Sequence, residues 1–97
     1  MVAQIRYRFY LGVSQEHFLS DLRKVTGLPW TFTSFPGVGM WLGQREDSTV
    51  IELITEEQDL TPTEAEEVAG ELARIYEQDA VLLTKETVAM ALVEPYP

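Results

Sequence analysis

Enzymes working near neutral pH lean on histidine, cysteine and paired carboxylates, and this 97-residue chain is sparing with the first two. His17 is the only histidine, so a Ser-His-acid system would have to be built on it. Its place near the start of a helix instead reads as a surface or boundary position. The absence of cysteine excludes a disulfide framework, thiolate-ligated zinc, an iron–sulfur cluster and a thiol nucleophile. Glu56, Glu57 and Asp59 cluster as calcium ligands do. Calcium loops, however, space their acids at alternate positions around a glycine turn, which this tract lacks. The tract reads better as an acidic loop favouring the positive end of the helix that follows. Gly37-Val38-Gly39 lacks the third glycine and the following helix of a dinucleotide fingerprint, so it reads as a bulge. No phosphate-binding loop or nucleophile elbow occurs. The expectation is a chain with no assigned catalytic residue, no metal and no cofactor.

Binding chemistry is better represented. Arg6-Tyr7-Arg8-Phe9-Tyr10 interleaves arginines with aromatics, as RNA-binding sheets do when they stack bases. The net charge of −9 and the absence of a Gly-Phe-rich signature on residues 50–55 argue against nucleic acid. The charge is also uneven. Residues 1–45 hold five basic and two acidic side chains, whereas residues 46–79 hold twelve acids against Arg74 alone. Such a field repels nucleic acid and anionic membranes and steers basic partners. No run of 18 apolar residues exists, and Met1–Arg6 has no apolar core of signal-peptide length before its first charge. The expected location is the cytoplasm.

Hydrophobic content of 45% and aromatic content of 10% are those of a globular chain, with no repeat or linker, so residues 1–97 read as one domain. Residues 3–13 alternate. Ile5, Tyr7, Phe9, Leu11 and Val13 take one face, and Gln4, Arg6, Arg8 and Tyr10 take the other. Ser14 is placed to cap a helix over 15–26, with Phe18, Leu22 and Val25 on its apolar stripe and Gly27-Leu28-Pro29 as its stop. Residues 30–44 are rich in β-formers, with a kink or bulge expected at 36–39. Gln44–Ser48 reads as the hairpin connection into a strand over 49–55. Thr61-Pro62-Thr63-Glu64 is a capping box opening a helix over 62–78. Ala65, Val68, Ala69, Leu72, Ile75 and Tyr76 form its buried stripe, and Gly70 is expected to allow a close contact. Residues 80–93 supply a last β-region, either one long strand or two short ones.

The order β-α-β-β-α-β predicts an α+β, ferredoxin-like fold with a four-stranded antiparallel sheet and two helices on one face. The other face then has no cover. Arg6, Arg8, Tyr10, Val50, Glu52 and Ile54 should point towards it, and its apolar members mark it as a partner surface. Two partners follow as expectations: a second copy through the open face, making a homodimer, and a basic protein drawn to Glu64, Glu66, Glu67 and Glu71. The leading reading is a non-enzymatic protein-interaction module, with a small acidic inhibitor of a basic host protein, of the kind phages encode, as a special case. The alternative is a dimeric α+β barrel, enzymatic or ligand-binding, with an aromatic-lined pocket and Tyr7, Tyr10, Trp41, Arg8 and His17 as candidates.

Several short segments resemble a family of small bacterial proteins known as a domain of unknown function. They are Tyr7–Val13 as an aromatic-Gly first strand, Gly39-Met40-Trp41 ending the second, Glu46–Val50 before a buried strand, and Gln78–Leu82 entering the last. The resemblance implies a ferredoxin-like fold and lends no chemistry. Where that family tends to carry an acid in its first strand, this chain has Arg8.

Overall fold

The computed structural model describes residues 2–21 and 31–96. The elements run β1 (Val2–Leu11), α1 (Gln15–Ser20), β2 (Thr33–Trp41), β3 (Gln44–Thr55), α2 (Pro62–Ile75) and β4 (Leu82–Met90). The strands form one antiparallel sheet in the order β2-β3-β1-β4. With two helices on one face, this is the ferredoxin-like α+β arrangement that the alternation of elements predicts.

Each element starts where local chemistry starts it. Ser14 accepts the His17 N–H at 3.1 Å and caps α1. The remainder of the expected first helix, with Leu22, Val25 and its Gly27-Leu28-Pro29 stop, lies outside the described residues. Thr61 and Glu64 form a reciprocal capping box, Thr61 Oγ1 taking the Glu64 N–H at 3.2 Å and Glu64 Oε1 taking the Thr61 N–H at 3.1 Å. Helix α2 ends at Ile75 rather than at 78. Glu77 takes a left-handed φ of 53°, its N–H reaches the Arg74 carbonyl, and the Gln78 N–H reaches the Ala73 carbonyl. That pair of bonds is a Schellman stop, built here on a glutamate instead of the usual glycine.

The core lies between sheet and helices. Tyr7, Phe9 and Leu11 of β1 and Ile51 and Leu53 of β3 pack against Phe18, Ala65, Val68, Ala69, Leu72 and Tyr76. Two buried hydroxyls tie the layers together. Tyr7 donates to the Leu60 carbonyl at 3.0 Å, and Thr49 donates to the Val13 carbonyl at 3.0 Å. Burial, together with the negative charges of Glu57 and Glu64, raises the Tyr7 phenol above its ordinary value of 10.0.

Three local expectations are corrected. The hairpin turns at Leu42-Gly43, not at Gln44–Ser48, which belongs to β3. Both turn residues have positive φ, 49° and 78°, and Trp41 pairs directly with Gln44. This is the two-residue connection whose twist matches its strands. Residues 36–39 pair one-for-one with 46–49, so no bulge forms, and Pro36 is tolerated because β2 is an edge strand. Gly70 is exposed, with open space where a Cβ would stand, so it serves no close contact. Residues 80–93 resolve into one strand, Leu82–Met90.

Candidate functional site: the open sheet face

The cross-strand register sorts the uncovered face into rows that run across the strands. One row is apolar on all four strands: Phe35 pairs with Val50, Val50 with Tyr10, and Tyr10 with Leu82. Phe35 is 36% exposed and Leu82 61%. Val50 was expected to lie in water but is only 5% exposed, sheltered between its larger neighbours and leaning over Gly37. The row therefore forms a ridge with Phe35, Tyr10 and Leu82 as its crest.

On one side of this ridge the face is charged but self-neutralised. Arg8 donates through Nε to Glu52 at 2.7 Å, and the row is completed by Thr33 and Thr84. This bond holds the Arg8 guanidinium charged, its pKa raised further from an already high value. The next row joins Arg6 to Glu86 in a second ion pair, with Ile54, 43% exposed, beside it. Each arginine thus meets its counter-charge within its own sheet, and the cost of covering this region falls with it.

On the other side of the ridge the face is hollow. Gly37 pairs with Ser48, and Gly12 and Ala80 continue the same line, so four small residues follow four larger ones. A depression of about 400 Å³ results, with Glu46 and Gln78 at its rim. Gln78 Oε1 accepts the Gly12 N–H at 3.0 Å, which pins the entry to β4 against the end of β1. A Cβ on Gly12 would stand 2.5 Å from Glu46 Oε1 and 2.6 Å from Gln78 Oε1, so both side chains lie over Gly12 and glycine is what lets them close there. Sequence patterning missed the hollow; its signal was the run of small residues two positions beyond each apolar one.

The structure brings Arg6, Arg8, Tyr10, Val50, Glu52 and Ile54 onto one face. It does not bring Glu64, Glu66, Glu67 and Glu71 to them. These four are exposed on α2, whose buried side packs on the opposite face of the sheet. Glu71 pairs with Arg74 one turn on, which lowers its pKa, while the rest of the acidic surface faces water. The candidates for an aromatic pocket also separate. Tyr7 is fully buried beneath α2, Tyr10 and Arg8 are on the open face, and His17 is half-exposed on α1 with Nε2 3.0 Å from Asp21. The Trp41 side chain lies outside the described residues. Among the described residues no three histidine or acidic side chains group as metal ligands. No described helix is long and apolar enough to cross a membrane.

No protein-family model matches the chain, and none of the curated proteins searched matches it. The functional reading therefore rests on the geometry.

Proposed function

We propose that this domain is a non-enzymatic protein-interaction module whose contact surface is the open sheet face, and that a second copy of the chain occupies that face. The observation that carries the reading is the ridge of Phe35, Val50, Tyr10 and Leu82, apolar on every strand and left uncovered by either helix. Apolar area is worth about 25 cal/mol per Å² when removed from water, before association costs are met. A four-stranded face of this length projects roughly 600 Å², and side-chain relief adds to that. The total approaches the ~800 Å² per partner of a standard interface. Isologous two-fold pairing is the commonest way to cover such a face.

Charge supports the same partner. The chain carries −9, which opposes self-association, but seven of the twelve acids of residues 46–79 lie on α2 and the segment 56–61 before it, against Glu46 and Glu52 on the open face. The open face holds its arginines in internal ion pairs. Two copies can thus meet through their least charged surface. The packed core beneath the helices favours this reading over a barrel enzyme with a pocket between sheet and helices. In such a dimer the acidic outer surface of α2 stays free. That surface suits a basic protein, and occupying a basic surface by charge mimicry is the activity it would support. The test is a dilution series followed by amide NMR. Shifts should move with concentration at Tyr10, Phe35 and Leu82 and stay fixed at Glu66 and Glu67. Movement confined to the acidic helix would overturn the assignment of the face.

A further inference from the structure

Resting on the open-face reading, we infer that two copies dock ridge into hollow, about a two-fold axis that runs across the strands between the apolar row and the small-residue row. Rows on one face of a strand are two residues, about 7 Å, apart. A rotation about such an axis keeps each strand over its own counterpart and exchanges the two sides of the axis. The ridge of one copy then lies over the hollow of the other. Tyr10 faces Gly12 of the second copy, Phe35 faces Gly37, Val50 faces Ser48 and Leu82 faces Ala80. Large meets small at Phe35, Val50 and Leu82, while Tyr10 meets the Glu46 and Gln78 side chains that lie over Gly12. A two-fold axis along the strands would instead set ridge on ridge, with the 400 Å³ hollow left unfilled in both copies. Close packing, which leaves few voids larger than a water molecule, favours the first arrangement. Packed sheets cross at about −30°, so the fit is tightest on the central strands β1 and β3.

The same rotation sets Glu46 of β3 over Glu52 on β3 of the second copy, so two carboxylates meet there. Arg8, one strand away and already bound to Glu52 through Nε, has further guanidinium donors and is the group that must bridge them.

The test is a ridge-and-hollow exchange read by sedimentation, with folding of each variant checked by its melting curve at high dilution. Ala80→Leu and Ser48→Leu each fill the hollow, and each should weaken the dimer at least tenfold. Adding Leu82→Ala to Ala80→Leu moves the bulk from ridge to hollow and should restore most of the affinity lost by Ala80→Leu alone. If Ala80→Leu leaves the dimer unchanged or tightens it, the hollow is empty in the dimer. The docking register is then wrong, while the open face survives as the contact. A wild-type chain that stays monomeric would overturn both readings together.

Discussion

Leu82→Ala separates the stability of the fold from that of the assembly. Leu82 is 61% exposed in the single chain, so most of its side chain gains nothing from folding. Full burial of a leucine is worth about 1.5–3 kcal/mol. The part already shielded by the sheet therefore accounts for roughly 1 kcal/mol of monomer stability, and the exposed part for about 1–2 kcal/mol per copy on association. A two-fold dimer contains the residue twice, giving a loss of about 2–4 kcal/mol, or roughly 30- to 700-fold in Kd. Sedimentation velocity over a concentration series reads the Kd, and a thermal melt at high dilution reads the monomer. A melting midpoint lower by a few degrees with a much weaker dimer is the expected pair of results. A dimer constant within threefold of wild type, with the monomer folded, would refute the placing of Leu82 in the interface.

Other perturbations probe the parts that hold the face in place. Tyr7→Phe removes the hydroxyl donated to the buried Leu60 carbonyl, and stranding a buried acceptor costs about 1–3 kcal/mol. At about 4–8 °C per kcal/mol for a domain of this size, calorimetry should find the midpoint lowered by at least about 4 °C. Burial raises the Tyr7 and Tyr76 phenols above their ordinary 10.0, so the folded chain holds these protons more tightly than the unfolded one. Their contribution is intact below about pH 10 and is lost as pH climbs further, a decline in chemical-denaturation midpoint that Tyr7→Phe should make shallower. Reversing Glu66 and Glu67 to lysine should shift stability by less than about 0.5 kcal/mol, leave the homodimer intact, and weaken capture of a basic protein at low salt. Unchanged capture would remove the acidic helix from the recognition surface.

Much of this architecture is legible in the residues. The alternation through Ile5, Tyr7, Phe9 and Leu11 is strict because one face of β1 is fully buried, and such a face fixes register. The Thr61–Glu64 box is equally direct, since a capping box is local chemistry that tertiary packing need not supply. The hairpin was hidden for a physical reason. Its turn puts an exposed leucine at positive φ, a conformation normally left to Gly, Asn or Asp, while the polar residues that look like a loop are paired in β3. Val50 illustrates the limit for the site. Alternation places it on the open face, but its shelter comes from Phe35 and Tyr10 on the two neighbouring strands and from Gly37, all assembled only by register. The hollow was invisible for the same cause, because its small residues come from β2, β3, the residue after β1 and the approach to β4.

Equilibrium sedimentation of the wild-type chain at tens of micromolar, with Ile54→Lys run beside it, tests the central claim most directly. Ile54 lies on the open face beside Arg6, so a lysine there adds an unpaired cation to the contact without entering the core. The account predicts a species of twice the 11.0 kDa chain mass for wild type and a shift towards monomer for the variant. A wild-type chain that remains at 11.0 kDa throughout the range would contradict it.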